Sequence, residues 1–341
     1  MGGHVARRLL KEGAIVTVLD IDAKPERICL VNNELRKEYS EDRLRIQYGD
    51  VTDLDYMKKK IEDGNFNYIF HFAAYAAVVE KAADNPLKTF QANTMGLFNM
   101  LEAVRVLKHN PPTVFFASTD KVYGEMKEGE ETYDEEKTSL RGIGVYDSTK
   151  LAADVFARTY HEVYELKTTV LRMCNLFGPW DLNFDYRLLP KAMRCIYKDN
   201  SPCPPELYYD SLGHCREYLY IDDVVDIILQ LTCRYECAGE VYNLPGVCYY
   251  STPAMLKKIV DTAADVERKS GKKEIGENIS QNGIVLRVRP IDKVVISIRK
   301  QKMRGDKLKK TLGEDFPEYV DFDRALWDTI EWYRRNKVFF K

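Results

Sequence analysis

The chain has 341 residues, 45% of them hydrophobic and 30% charged, with a formal net charge of −2. This composition excludes a disordered protein and fits one large globular domain with a smaller partner. Nucleic acid is not expected as a partner because Lys and Arg form no basic block, and no apolar run predicts a membrane span or signal peptide.

The first 180 residues predict alternating strands and helices. Continuous apolar strands separated by helices are typical of a parallel sheet covered on both faces, which is the doubly wound, Rossmann-like α/β architecture. The predicted elements are helix 4–12, the strand AIVTVLD after Gly13, strand 44–48, helix 55–62, strand 68–74, helix 87–107, strand 113–118, helix 146–165 and the strand TTVLRM.

Prolines interrupt the pattern after Gly178, as in loops that surround a substrate. Helix 222–232, strand 240–244 and helices 254–266 and 321–336 are predicted there, and the polar stretch 266–281 is predicted to be a surface loop. We therefore expect a cofactor-binding domain of residues 1–178 plus 217–246. A smaller substrate-binding domain would comprise 179–216 plus 247–341.

The eight cysteines are scattered, and Cys233 and Cys237 form a lone CxxxC without a second pair at metal-ligand spacing. This pattern predicts reduced thiols in the cytoplasm and no metal site.

The start of the domain departs from the doubly wound pattern. Such a domain opens with a strand and a glycine-rich turn that binds a pyrophosphate, whereas here Met1-Gly2-Gly3-His4 leads directly into a helix. Gly2 is then the last glycine of the fingerprint. Either the chain is a shortened version of a longer protein or it has lost its central strand. We expect the former, because losing the strand leaves unpaired edges inside the core.

Acidic residues follow two predicted strands. Asp20 closes AIVTVLD eighteen residues after Gly2, where a carboxylate accepts hydrogen bonds from an adenosine ribose and repels a 2′-phosphate. Asp22 competes for this role, and either residue could instead be a loop or capping aspartate. Asp50 in GDVTD could reach the adenine. NAD is therefore expected as the cofactor.

A catalytic pair is predicted at Tyr146 and Lys150, whose spacing places both side chains on one helical face. An ammonium beside a phenol lowers the phenol's pKa, so the tyrosine can take a proton from a sugar hydroxyl. YxxxK alone is uninformative, because it also occurs four more times. Only Tyr146 opens a long helix after a strand that ends in Ser118-Thr119. The other four copies begin at Tyr56, Tyr123, Tyr133 and Tyr333.

FFASTDKVYG (115–124) followed by VYDSTK (145–150) resembles the active site of extended short-chain dehydrogenase/reductases that act on nucleotide sugars. HFAAYAAV, NTMGLFNMLEA, LRMCNLFGPWDLN, REYLYIDD and TIEWYRRN follow in the family's order. The resemblance implies that Thr119 binds the sugar 4-hydroxyl and that Tyr146 and Lys150 are catalytic. It also implies that Asn175 and Arg216 contact the substrate, Arg216 at its diphosphate. The remaining cofactor-binding residues are assigned as Val51, Ala73 and Ala74.

Asp120 and Lys121 distinguish reactions within the family. The resemblance assigns Asp120 as the acid and Lys121 as the base of a 4,6-dehydratase, which oxidises C4, eliminates water across C5 and C6 and returns hydride to C6. An ordinary surface ion pair is the alternative interpretation. The Asp-Lys pair most resembles CDP-glucose 4,6-dehydratases. Three places depart from the pattern of that group: Trp180, where the group has glycine, Tyr75, and residues 291–313. These departures leave the identity of the nucleotide open.

Two other functions stay open at this point. One is a 4-epimerase of CDP- or UDP-sugars, since some epimerases carry Thr-Asn-Lys at 119–121. The other is a non-catalytic Rossmann-like binding protein without a complete glycine turn. The resemblance also implies a homodimer built from helices 87–107 and 146–165, although their apolar faces could equally pack on the sheet.

Overall fold

A computed structural model describes residues 1–22, 30–75, 79–198, 203–288 and 298–340. The chain divides into two compact units, residues 1–173, 224–244 and 303–317, and residues 174–223, 245–302 and 318–341. The first unit contains residues 303–317, whereas the sequence-based boundary placed all of 247–341 in the other domain. Two contacts tie these residues to the first unit. Met303 forms a parallel β-bridge with Tyr133, and Asp315 forms an ion pair with Arg234.

The first unit is an α/β fold with parallel sheets, as predicted. Its helices and strands, in chain order, are α1 (Gly2–Lys11), β1 (Val16–Asp20), α2 (Arg36–Glu38), β2 (Leu44–Tyr48), α3 (Leu54–Gly64), β3 (Tyr68–His71), α4 (Val79–Asp84), α5 (Pro86–Phe90), α6 (Gly96–Arg105), β4 (Thr113–Thr119), α7 (Val145–Tyr164) and β5 (Thr168–Met173).

The second unit holds β6 (Asn175–Phe177), α8 (Leu188–Tyr197), β7 (Glu206–Tyr208) and β8 (Cys215–Tyr220). Helix α9 (Ile221–Thr232) and strand β9 (Val241–Leu244) follow, largely within the first unit. The remaining elements are β10 (Cys248–Ser251), α10 (Thr252–Lys269), α11 (Lys273–Asn282), β11 (Val285–Arg287), α12 (Asp306–Leu312), which belongs to the first unit, and α13 (Phe322–Arg335).

The described strands of the first unit form two separate parallel sheets. Strand β1 pairs with β2, and a four-stranded sheet has the order β3-β4-β5-β9. Every residue of β5 is buried, as is all of β4 after Thr113. Only Val16 of β1 and His71 of β3 are buried. The core of the four-stranded sheet is therefore the better shielded of the two.

The second unit contains a three-stranded sheet of order β10-β8-β6 and the parallel pair β11-β7. Residues 273–282 correct the prediction of a loop over 266–281, because they form helix α11. Ile279 is buried there, and a Cβ on Gly276 would come within 2.7 Å of the Ala264 carbonyl oxygen. Glycine thus lets α11 pack closely on α10, which the polar composition of the stretch concealed.

Trp180 has a φ of 65°, which is rare for a residue with a Cβ. Its ring centroid lies 5.0 Å from that of Trp332 and 5.3 Å from that of Phe339. The glycine that the resemblance leads one to expect here suits this φ, and the aromatic contacts explain how tryptophan is accommodated.

No helix among the described residues combines the length and the apolar character needed to cross a bilayer.

Candidate active site

Polar residues follow the buried strand β4 at its carboxyl end. Thr119 ends the strand, and its hydroxyl donates to Asp120 Oδ1 at 3.1 Å. The backbone N–H of Lys121 donates to Thr119 Oγ1 at 3.4 Å, so the threonine caps the 3₁₀ turn Asp120–Tyr123. Thr119 is 7% exposed and Asp120 is 3% exposed. A carboxyl group is thus held in the interior beside a hydroxyl group.

Gly124 fixes the end of this turn. Its φ is +75°, and a Cβ there would lie 2.6 Å from the Arg141 carbonyl oxygen. The Arg141 N–H donates to the Val122 carbonyl at 2.8 Å. Glycine is required because both its backbone angle and its close approach exclude a side chain. The turn is therefore pinned to the segment that leads into α7.

Helix α7 presents Tyr146 and Lys150 on one face, and both are buried. Asp147 caps the helix through a hydrogen bond accepted from the Gly144 N–H at 3.2 Å. The side chain of Asn93 donates to Thr149 Oγ1 at 3.1 Å and so ties the neighbouring helical segment to α7. The structure thus holds the predicted pair in the same compact unit as Thr119-Asp120-Lys121.

The ammonium group of Lys150 lies 4.2 Å from the centroid of the Phe116 ring. Burial lowers the pKa of Lys150 from its ordinary value to about 7, and the negative charge of Asp154 opposes this shift. Burial and the charge of Lys150 together lower the pKa of His71 to about 3. His71 is therefore neutral at physiological pH, and its Nε2 has no hydrogen-bond partner among the described residues.

Asp154, one helical turn beyond Lys150, is fully buried. Arg172 on β5 binds both of its oxygens, with Nε donating at 2.9 Å and an Nη at 2.8 Å. Ser118 adds a third hydrogen bond at 2.8 Å, and the partly exposed Arg158 donates from the other side at 3.2 Å. This bidentate, hydrogen-bonded arrangement is the one in which a buried ion pair persists.

The network continues from Arg172 to the turn that carries Asp120. Tyr123 accepts a hydrogen bond from Arg172 at 2.8 Å and donates one to Asn243 at 2.7 Å. Its ring stacks on that of Tyr133 with the centroids 4.7 Å apart, and burial raises its pKa to about 12. The turn and helix α7 are therefore linked through buried hydrogen bonds.

Sequence reasoning missed this network. A visible signal was an arginine in the middle of the apolar strand TTVLRM, because an arginine inside a buried strand needs a carboxylate partner.

The predicted cofactor residues lie at the carboxyl ends of parallel strands. Asp20 ends β1, and Asp50 follows β2 and accepts a hydrogen bond from the Thr52 N–H at 2.8 Å. The Val51 carbonyl accepts one from Asn99 at 3.1 Å. Ligands of open α/β sheets bind at this edge. Three further predicted residues are exposed near this edge of the sheets. They are Gly2, in the first turn of α1, and Ala73 and Ala74, after β3.

The predicted substrate residues Asn175 and Arg216 lie in the second unit, on β6 and β8. Asn175 Nδ2 donates to the Glu217 carbonyl at 3.4 Å. The Arg216 guanidinium donates to the carbonyls of Cys215 at 2.9 Å and Arg299 at 2.8 Å, and also to that of Ile298. Because a guanidinium has five N–H donors, these bonds leave capacity for an anion.

A model of the NAD-dependent epimerase/dehydratase family matches residues 1–244. The dTDP-glucose 4,6-dehydratase of Mycolicibacterium smegmatis is 25% identical over 300 residues, which cover 88% of this chain and 81% of the relative. The human dTDP-D-glucose 4,6-dehydratase is 23% identical over 288 residues, covering 84% and 74%.

Solved structures share the fold. DesIV, a dTDP-glucose 4,6-dehydratase from Streptomyces venezuelae with NAD and TYD bound, has a TM-score of 0.79 at 23% identity and covers 99% of this chain and 94% of its own. The UDP-glucose 4-epimerase from Thermotoga maritima, solved with UDP-glucose, has a TM-score of 0.77 at 21% identity, covering 98% and 95%. The family model spans well over half of the sequence, so this chain belongs to the NAD-dependent epimerase/dehydratase family.

Proposed function

We propose that the protein is an NAD-dependent nucleotide-sugar 4,6-dehydratase with CDP-glucose as the first candidate substrate. The observation that carries the proposal is the buried carboxyl group of Asp120, which lies between Thr119 and Lys121 in a turn hydrogen-bonded to the segment that leads into α7. A 4-epimerase needs no acid at C6, whereas elimination of water does.

The described residues fit NAD. Asp20 and Asp50 supply carboxylates at strand ends for the adenosine half, where Gly2 and Val51 would also lie. Ala73 and Ala74 leave space beyond β3. At the other end, Lys150 provides a buried ammonium that suits ribose hydroxyls, and the unpartnered Nε2 of His71 marks a buried polar position that a ligand could satisfy. NAD, when bound, would supply the hydride acceptor for C4 and the hydride donor for C6.

Tyr146, Lys150 and Thr119 would carry the C4 oxidation. The Tyr146 phenolate accepts the proton of the 4-hydroxyl, and the Lys150 ammonium stabilises that phenolate. The Thr119 hydroxyl binds the same sugar oxygen and orients it. Asp154 supports the charge of Lys150 from one turn away.

Asp120 and Lys121 would carry the elimination. Once C4 is a ketone, the C5 proton is acidic, and Lys121 removes it. Asp120 donates a proton to the 6-hydroxyl as the C6–O bond breaks, so that water leaves. As the hydride taken from C4 is returned to C6 of the resulting C5–C6 double bond, Lys121 returns the proton to C5, which would give the 4-keto-6-deoxy product without net oxidation.

Asn175 and Arg216 are proposed to bind the substrate, with Arg216 at its diphosphate. The N–H groups that are not bonded to backbone carbonyls would bind phosphate oxygens. Arg216→Lys should raise KM with less effect on kcat, because it weakens binding without touching the reacting atoms.

The first experiment is a product assay with CDP-, dTDP- and UDP-glucose. The relatives act on dTDP- and UDP-glucose by name, so these belong in the same panel. We expect a 4-keto-6-deoxy sugar, detected by its alkali-induced absorbance and by loss of one water in the mass spectrum. A C4 epimer with an intact 6-hydroxyl would identify an epimerase, and absence of bound NAD and of any product would favour a binding protein.

The second experiment separates the two half-reactions. Asp120→Asn should abolish dehydration and leave C4 oxidation, measured as reduced nicotinamide in a single turnover. Glu125→Gln, which changes a carboxylate just beyond the same turn, is the matched control and should retain activity. Equal loss of oxidation and dehydration in Asp120→Asn would contradict a separate acid.

We also propose that the protein is a cytoplasmic homodimer. Three valines on α7 or directly after α6 are exposed: Val106, Val155 and Val163, at 45%, 43% and 61%. A second copy would bury these side chains. Light scattering should give twice the chain mass, and Val155→Glu with Val163→Glu should shift it to a monomer. The exposed thiols Cys203 and Cys233 suit a reducing compartment.

A further inference from the structure

A cavity of about 250 Å³ lies at the amino-terminal edge of the four-stranded sheet. Tyr68 begins β3, Thr113 begins β4 and Lys167 directly precedes β5, and all three line the cavity. The rest of the lining includes the end of α9 and the segment that follows it, up to residue 238. Every lining residue belongs to the first unit.

The cavity is separate from the proposed reacting groups. Strand β4 runs from Thr113, at the cavity, to Thr119, at the candidate active site, and a strand of seven residues spans about 20 Å. Because β3, β4 and β5 are parallel, the cavity lies at their amino ends, whereas ligands of open α/β sheets bind at the carboxyl ends. A molecule in the cavity would therefore lie at the opposite end of β4 from the chemistry.

Hydrogen bonds hold the walls of the cavity in place. The Tyr68 hydroxyl donates to the Thr232 carbonyl at 3.0 Å and so joins β3 to the end of α9. The buried Thr169 hydroxyl donates to the Cys237 carbonyl at 2.8 Å and joins β5 to the segment after α9. The cavity is therefore preformed, as sites for small molecules usually are.

Three aromatic side chains line the cavity. Phe115 is buried on β4, and its ring centroid lies 6.4 Å from that of Tyr68, whereas Tyr235 is 80% exposed. Aromatic rings favour a second ring as a neighbour, in offset or edge contacts. An engineered cavity of roughly 150 Å³ binds benzene. The larger cavity here thus has room for one ring with a small substituent.

One ammonium group at the cavity has no ion-pair partner among the described residues. It belongs to Lys167, whose Nζ lies 5.1 Å from the centroid of the Tyr235 ring. The Arg234 guanidinium, by contrast, is paired with Asp315 and also donates to the Leu312 carbonyl at 3.4 Å. The described lining contains no Asp or Glu. A single unpaired cation suits a carboxylate, because the second negative charge of a phosphate would stay unpaired.

We propose that this cavity is a second binding site, which takes a small aromatic carboxylate. The ring would lie against Phe115 and Tyr68, and the carboxylate would pair with the Lys167 ammonium. Cys233 also lines the cavity and has an exposed thiol, which the bound ligand would cover. The site does not depend on the proposed reaction, because none of the reacting groups lines it.

Alkylation of Cys233 by iodoacetamide, measured by peptide mass spectrometry, tests the site without using turnover. Benzoate is the probe. It should slow the alkylation of Cys233 in a saturable way, with half-maximal protection at about 1 mM, as expected for so small a ligand. Cys203, which is exposed in the second unit, is the internal control and should react at the same rate with and without benzoate.

Two variants and two further probes test the chemistry of the site. Lys167→Met should weaken the protection at least about tenfold, because it removes the partner of the carboxylate. Lys59→Met, at an exposed lysine of α3, is the matched control and should leave the protection unchanged. Benzyl alcohol lacks the charge and acetate lacks the ring, so each should protect at least about tenfold more weakly than benzoate.

NAD and CDP-glucose, added together, should leave the protection by benzoate unchanged, because they are expected at the other edge of the sheet. Protection that these ligands remove would assign the probe to the proposed active site and overturn the proposal. The same holds for absence of saturable protection at Cys233, for undiminished protection in Lys167→Met, or for equal protection of Cys203. A chain without dehydratase activity that still binds benzoate here would refute the proposed function alone.

Discussion

The four-stranded sheet and the β1–β2 pair differ in how completely they are built. Strands β4 and β5 are buried, and Arg172, Asp154 and Tyr123 form a hydrogen-bonded network between them and α7. Strand β1 is half-buried, and its end residue Asp20 accepts one local hydrogen bond from the Asp22 N–H at 3.3 Å. The proposed reacting groups thus lie beside the well-buried four-stranded sheet. The proposed adenosine contacts lie at the less buried β1–β2 pair.

Under the proposed assignments, chemistry and cofactor affinity would depend on separate parts of one unit. Changes in the four-stranded part should affect kcat or global stability. Changes in the β1–β2 part should affect the Kd for NAD and leave the reacting groups in place.

Tyr146→Phe should have the largest effect on catalysis. Removing the phenol removes the proton acceptor, so kcat should fall by about 10³-fold, while circular dichroism stays unchanged. Tyr56→Phe is the matched control, since Tyr56 lies in another YxxxK segment, in α3, and its hydroxyl donates to the Tyr48 carbonyl at 3.1 Å. Equal activity of the two variants would disprove the role of Tyr146.

Arg172→Met tests whether the buried network stabilises the four-stranded sheet. Loss of one partner leaves the Asp154 charge buried without its bidentate partner, so the free energy of unfolding should fall by about 3 kcal/mol in a urea titration. Arg158→Met removes the other, partly exposed arginine of the same carboxylate and should cost less than about 1 kcal/mol. Similar losses for both arginines would show that burial does not distinguish them.

The buried imidazole of His71, on β3, should make the free energy of unfolding depend on pH. The folded protein holds the His71 pKa at about 3, below the ordinary value of 6.5, so the unfolded state binds the proton first as the pH falls. The contribution of the neutral His71 to the free energy of unfolding is complete above pH 6.5 and is lost as the pH falls towards 3. Between pH 7.5 and 5 the free energy of unfolding should fall by about 2 kcal/mol more than in His71→Asn.

Lys150 contributes in the same direction at the upper end of that range, because its pKa of about 7 makes stability rise with pH between about 7 and its ordinary value of 10.5. The comparison with His71→Asn removes this contribution, because both proteins keep Lys150. His109→Asn, at an exposed histidine, serves as the control and should follow the wild type. A wild-type curve that is parallel to the His71→Asn curve would contradict the buried, neutral imidazole.

Asp20→Asn probes the β1–β2 pair and has the smallest expected effect. It removes a carboxylate from the proposed ribose site, so the Kd for NAD should rise by about tenfold and the preference over NADP should shrink. Asp22→Asn is the comparison, and calorimetry measures both. A larger loss in Asp22→Asn would move the ribose contact to Asp22.

The order of strands and helices could be predicted from the sequence because it depends on local periodicity. The predicted strand 44–48 coincides with β2, and the predicted helix 146–165 differs from α7 by one residue at each end. The fold class and the family are confirmed, whereas the roles of the site residues remain predictions. Thr119, Asp120 and Lys121 could be predicted as a group because FFASTDKVYG resembles the family's active-site segment.

Long-range pairings could not be predicted in the same way. Asp154 and Arg172 lie eighteen residues apart, and nothing local says that one binds the other. Helix α11 was missed because its packing depends on Gly276 approaching α10. The compact unit that holds 303–317 differs from the predicted domain boundary, because tertiary contacts assign this segment to the first unit. Each of these features is set by contacts between elements distant in the sequence.

The clamp between Gly124 and Arg141 has a practical consequence. The contact joins the two ends of the segment 125–140, in which a Cβ on Gly129 would meet nothing within 4 Å. We expect insertions at Gly129 to leave Asp120 in place, because loop tips in open space tolerate changes in length. The same tip offers a place to graft a fluorophore or affinity tag on a working enzyme.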